Sequence, residues 1–147
     1  MLMVKTYLGK SKIHGIGLFS KEFIPRGKVI WKFVRIIDRV IPEKDMIRIK
    51  GYYNFDQYIF KQFRSRCSRL DDGSYIMYGD DSSFINHSIN SNLEMSGAKM
   101  IAKRDIQIGD ELTEDYLEIY KDDEDIGFIK QMEKRRMEKN EINKTVL

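Results

Sequence analysis

Apolar residues in this chain gather in short runs separated by turn residues, with no regular alternation of strand and helix patterns. Ile13–Ser20 reads as two short strands around a turn, because Gly15 and Gly17 permit backbone angles that other residues avoid. Pro25-Arg26-Gly27 marks a second turn, and Leu70-Asp71-Asp72-Gly73 a third. Val29–Ile37 is rich in β-branched and aromatic residues and predicts a buried strand. Tyr75–Tyr78, Lys99–Ala102 and Glu111–Thr113 predict shorter strands, the last two separated by a turn at Ile108-Gly109-Asp110. Such a pattern excludes a doubly wound parallel sheet and predicts a mainly β fold.

Two helical stretches interrupt this pattern. Pro42 suits the first position of a helix, with Glu43 and Asp45 favourable in its first turn. That stretch runs in parts to Phe63, with Gly51 as an interruption. Asp125 to about Ile142 predicts a second helix, with Ile126, Ile129 and Met132 at three-residue spacing. The expected organisation is one domain over 1–125, followed by a C-terminal helix and tail over 126–147.

Charge placement narrows the function classes. The net charge is +3, yet residues 1–129 hold 20 basic and 20 acidic side chains. The excess sits in the last 18 residues, with six basic groups and three acidic ones. A nucleic-acid binder more often carries its basic residues on the folded face, so nucleic acid is disfavoured as a direct ligand. No apolar run approaches the roughly 18 residues that span a bilayer, and no signal peptide is expected. Cys67 is the only cysteine, which excludes an internal disulfide and a cysteine-rich zinc cluster; no metal site is expected. The expected location is a reducing interior, cytoplasmic or nuclear. A homo-oligomer is left open.

Three segments carry the chemistry. His14-Gly15-Ile16-Gly17 precedes Leu18-Phe19-Ser20 and Ile24-Pro25-Arg26-Gly27. A dinucleotide-binding loop would want a third glycine where Ser20 stands, and a helix where Pro25 and the next strand fall. The second segment is Ser83-Phe84-Ile85-Asn86-His87-Ser88, which sets an amide, an imidazole and a hydroxyl side by side. The third runs from Ala102 through Arg104-Asp105-Ile106 and Gly109-Asp110-Glu111-Leu112-Thr113 to Asp115-Tyr116. Taken singly, each has an ordinary explanation as a glycine turn, a buried histidine or a rim tyrosine.

Together, and in this order, the three segments resemble the SET-domain family of protein lysine methyltransferases over about residues 5–120. The resemblance implies a β-clip-like fold of several small sheets, with a threaded, pseudoknot-like C-terminal segment and a C-terminal helix. It also implies S-adenosyl-L-methionine as cofactor, held by His14, Gly15, Ile16, Gly17, Asn86, His87 and Tyr116, with Tyr116 catalytic. Glycine would let main-chain N–H groups approach the cofactor carboxylate. The side chain of Asn86, at once donor and acceptor, would hold a zwitterionic amino-acid end.

Methyl transfer from a sulfonium to an amine needs a neutral lysine, whose pKa is ordinarily about 10.4. A narrow, dry, cation-bearing site favours loss of the proton, so a strong general base is not required. The Tyr116 oxygen would orient the amine, and Trp31, Phe33, Tyr53, Tyr58, Tyr75 and Tyr78 are candidates for lining the lysine channel. Several positions depart from the family pattern: Ser83 stands in an arginine place, and Ile89-Asn90-Ser91-Asn92 keeps only the final asparagine of the usual run. Glu114 stands where an aromatic residue often influences how many methyl groups are added.

Without zinc-binding flanks, the chain is expected to be a small stand-alone member that closes its channel with the C-terminal helix. Acidic residues from Glu114 to Asp125 favour a basic protein or peptide substrate, histone-like or ribosomal. The alternative reading is a catalytically silent binding module for a basic protein.

Overall fold

The structure is a computed structural model and describes residues 1–119. Among these residues ten strands form four small sheets, as expected for the mainly β class. β1 (Thr6–Lys10) and β2 (Ile16–Ser20) make an antiparallel hairpin. β3 (Val29–Lys32), β9 (Lys99–Ala102) and β8 (Leu93–Ser96) form an antiparallel sheet in that order. β4 (Arg39–Ile41), β6 (Tyr75–Met77) and β5 (Cys67–Arg69) form another. The last sheet is a two-residue parallel pair of β7 (Asn86–His87) and β10 (Thr113–Glu114).

The main core unites two of these sheets through Leu18, Ile30, Trp31, Leu93 and Met100, with Ile106 and Leu112 beside them, all fully buried; Ile76 of β6 joins a third sheet to it. Trp31 meets the Tyr78 ring edge-on at 5.1 Å, and the Tyr78 hydroxyl donates to Ser68 Oγ at 2.8 Å. A second cluster, Met46, Cys67 and Tyr75, seats two helices on the β4–β6–β5 sheet. Trp31, Tyr75 and Tyr78 therefore serve as core residues, and Tyr58 is exposed on the second helix.

Two expectations are corrected here. The strand predicted over Val29–Ile37 stops at Lys32. Beyond it the chain turns, with the Ile37 and Asp38 amides both donating to the Val34 carbonyl at 2.8 Å. The buried Asp38 carboxylate accepts from the Val34 amide at 2.9 Å and so fixes the turn. The helical stretch after Pro42 is two helices, α1 (Glu43–Tyr52) and α2 (Gln57–Arg64). Pro42 caps α1 rather than entering it, and Gly51 lies inside its last turn. The break comes at Asp56, whose carboxylate accepts from the Tyr58 and Ile59 amides and starts α2.

Residues 110–116 tie the fold together. Leu112 donates to the Leu18 carbonyl at 2.7 Å, and the Ser20 amide to the Asp110 carbonyl at 3.0 Å. Directly after Leu112 the same segment pairs with β7, Thr113 opposite Asn86 and Glu114 opposite His87. Asn92 clamps it from a third side: Oδ1 accepts from the Thr113 amide at 2.9 Å, and Nδ2 donates to the Glu111 carbonyl at 2.8 Å. Held between β2, β7 and Asn92, this stretch is the threaded segment that the resemblance implied. A short helix, α3 (Tyr116–Ile119), follows. The predicted helix from Asp125 to Ile142, the 126–147 tail and the acidic run at Asp122–Asp125 lie outside the described residues.

Candidate active site

The β1–β2 turn is shaped by Ser11. Its Oγ accepts from the Ile13 and His14 amides at 2.8 and 3.2 Å, while its amide donates to the Gly15 carbonyl at 2.9 Å. Gly15 has φ +50°, a left-handed value that explains glycine there. A Cβ at Gly15 would meet nothing within 4 Å, so this face of the turn is open.

Gly17 has a different reason. A Cβ there would fall 2.2 Å from Glu111 Oε1 and 3.2 Å from Asn86 Nδ2. The room that glycine leaves at this position is filled by the Glu111 carboxylate. That carboxylate joins three elements. Oε2 accepts from Ser11 Oγ at 3.0 Å, and Oε1 accepts from Asn86 Nδ2 at 2.8 Å.

Asn86 Nδ2 also lies 3.1 Å from the His14 carbonyl and 3.2 Å from the Ile16 carbonyl. Two hydrogens are thus shared among three acceptors, and only this amide orientation suits them. The donor half of Asn86 is engaged within the protein, and Oδ1 remains as its acceptor. Sequence reasoning gave Asn86 a direct ligand role and did not single out Glu111. The signal for Glu111 lay in its place next to the family's Leu-Thr pair, but its partners are 25 and 100 positions away.

His87 and Tyr116 meet at the other end of β7. The Tyr116 amide donates to His87 Nδ1 at 3.1 Å, and the two rings lie 5.4 Å apart. An Nδ1 that accepts this bond carries no proton, so the neutral ring holds its proton on Nε2. Asp115 Oδ1 lies 3.7 Å from the same nitrogen and accepts from the Leu117 amide at 2.9 Å, which starts α3. The Tyr116 hydroxyl donates to the Ile85 carbonyl. With its proton committed there, the phenolic oxygen offers lone pairs to a reacting group.

The glycine turn, Asn86, His87 and Tyr116 therefore adjoin in two hydrogen-bonded groups, Ser11–Glu111–Asn86 and His87–Tyr116–Ile85, which the Asn86–His87 peptide links. Glu114, opposite His87 in the β10–β7 register, is buried at 3% exposure. Burial pushes its carboxyl up to about 8, and neighbouring Asp115 adds in the same direction.

Residues 15–117 match the SET domain family model, and the chain belongs to that family. A histone-lysine N-methyltransferase of Mycosarcoma maydis, H3 lysine-4 specific, is 30% identical over 129 residues, which cover 79% of this chain and 8% of that protein. A Plasmodium falciparum (isolate 3D7) protein, provisionally named histone-lysine N-methyltransferase 1, is 30% identical over 123 residues, covering 77% of this chain and 2% of its own length. Among solved structures, the Chaetomium thermophilum polycomb repressive complex 2 contains a chain 25% identical with a TM-score of 0.60. The match covers 77% of this chain and 15% of that one. This chain thus spans a small part of each relative.

Proposed function

We propose that the chain is a protein-lysine N-methyltransferase that takes its methyl group from S-adenosyl-L-methionine and acts on a basic protein. The observation that carries this reading is the fixed Tyr116 phenol. Its proton is held by Ile85 and its backbone by His87, one residue from the Asn86 that clasps the glycine turn.

The donor set fits the cofactor. The open face at Gly15 leaves space beside the turn, and Asn86 Oδ1 suits the ammonium of an amino-acid end. His14, Ile16 and Gly17 would support it through the backbone, and His87 would border it beside Tyr116. When bound, the cofactor supplies a sulfonium-activated methyl group. The protein's own share is alignment: the Tyr116 oxygen accepts an N–H of the amine and turns its lone pair toward the reacting carbon. A target of the histone kind, and a nuclear place of action, would follow the names of the relatives.

Transfer of labelled methyl from S-adenosyl-L-methionine to a panel of basic proteins, core histones included, tests this reading. Tyr116→Phe is expected to lower the rate about 100-fold, the scale of losing an orienting contact, while calorimetry shows unchanged cofactor affinity. A fully active variant removes Tyr116 from the mechanism. A wild-type chain that binds basic peptides yet transfers nothing would be the silent binding module instead.

Gly17→Ala separates cradle from chemistry. The added methyl would force Glu111 off Ser11 and Asn86. Cofactor affinity is expected to fall by about tenfold, the worth of one hydrogen bond to a charged group, with a smaller change in the rate at saturation. Equal affinity in the two proteins would show that Glu111 does not hold the cradle.

A further inference from the structure

Glu114 has an unusual position for an acid. The β10–β7 register sets it opposite His87, and its carbonyl accepts from the Ser88 amide at 3.0 Å, so the backbone is fixed. Its side chain is 97% buried, two residues before Tyr116. Oε1 has no hydrogen-bond partner among the described residues. Leaving a buried polar atom unsatisfied is costly, and more so once it is charged. An apolar side chain in this place would carry no such cost, so the carboxyl calls for a partner that arrives from outside.

The other titratable groups on the surrounding elements are His87 on β7, Glu94 on β8, and Asp115 and Tyr116 next along the chain. His87 Nδ1 takes the Tyr116 amide, Asp115 Oδ1 takes the Leu117 amide, and the Tyr116 proton goes to Ile85. Glu94 is half-exposed on its strand. Glu114 is the member of this set with a fully buried acceptor atom left over.

We propose that Glu114 receives the substrate ammonium and takes its proton before methyl transfer. The inference rests on the methyltransferase reading and goes beyond it, since that reading required no general base. The lysine N–H bond breaks, an O–H bond forms on Glu114, and the electron pair stays on nitrogen. That pair then forms the new N–C bond, while the electrons of the old S–C bond return to sulfur. Glu114 passes its proton to solvent before the next turnover. Burial makes this carboxylate a stronger base than an ordinary one, which narrows the gap to the lysine amine.

The test is the pH dependence of methyl transfer to core histones from labelled S-adenosyl-L-methionine, under kcat/KM conditions, for the full chain and for Glu114→Gln. Wild type is expected to rise with pH and level off above about 8. The variant is expected to lose about 100-fold at pH 7 and to keep rising toward the free-lysine value of about 10.4. Its cofactor affinity should not change. A merely structural role would scale the rate equally at every pH. A variant profile parallel to wild type, or equal to it at pH 7, overturns the proposal. A wild-type profile with no break below pH 10 overturns it as well, even if the variant does not fold. Wild type that transfers no methyl at any pH defeats the methyltransferase reading itself, a result distinct from the others.

Discussion

Glu114→Gln is expected to make the fold more stable at pH 8 than the natural sequence, and equally stable near pH 4. The sign follows from where the proton sits. In the unfolded chain the carboxyl ionises near its ordinary value of 4.5, whereas in the fold it holds its proton to about 8. Between these values the unfolded state binds fewer protons, so stability falls as pH rises. Below 4.5 both states are protonated and the contribution is complete; above 8 both are ionised and the loss is complete. The interval caps the loss at about 5 kcal/mol, and water drawn to the buried carboxylate reduces it. Glutamine keeps the shape and does not titrate, so its curve should lack this slope. Urea unfolding of both proteins from pH 4 to 9 measures the difference directly. Parallel curves would mean that burial does not hold the proton on Glu114. Destabilisation of this kind is common where a site keeps a group that the fold alone would not choose.

Much of the site was legible because its residues are neighbours in sequence. Asn86 and His87 adjoin, and Asp115-Tyr116 follow directly on the segment that pairs with them. Short-range signals also gave the Gly15 turn and the β9 strand, where local backbone preference and tertiary context agree. The missed features depend on contacts between distant positions. Ser11, Asn86 and Glu111 meet only once the hairpin and the threaded segment are in place, so nothing local marks Glu111 as their link. Gly17 could be read as a turn residue or a ligand-facing one, and only the position of the Glu111 carboxylate shows its reason. Asn92 stood out only as the asparagine kept from the family's run, yet its side-chain amide carries two bonds to the threaded segment. The strand after Val29 ended early for a similar reason. Its β-branched composition continues to Ile37, but the buried Asp38 carboxylate draws the Val34 amide into a turn. Local propensity yields where a buried charge must be satisfied.

Gly79→Ala is expected to be the most damaging single methyl addition among the described glycines. A Cβ at this position would lie 2.0 Å from the Ile37 carbonyl oxygen and 2.7 Å from its carbon. Both are backbone atoms, so no side-chain rotation relieves the overlap. Ile37 itself is held by its amide bond to the Val34 carbonyl, and the Gly79 amide donates to the buried Asp38 carboxylate at 3.2 Å. Separating the two segments would therefore both strain the backbone and loosen a donor from a buried charge. Overpacking of this kind costs about 1–3 kcal/mol, and a weakened bond to a buried charge about 1–3 kcal/mol more. A loss of about 3 kcal/mol corresponds to a fall in Tm of roughly 10 °C for a domain of this size. Gly51→Ala provides the control: it lies within α1 with nothing inside 4 Å of an added Cβ, and should gain about 0.5–1 kcal/mol. The effect should reach the chemistry too. Gly79 leads through Asp80, whose carboxylate accepts from the Leu2 amide at 2.6 Å, into the turn that presents the Ile85 carbonyl to Tyr116. Thermal and urea unfolding of the two variants decide the matter. Should Gly79→Ala melt with the natural protein, the close approach of Ile37 to Gly79 is not a feature of the fold.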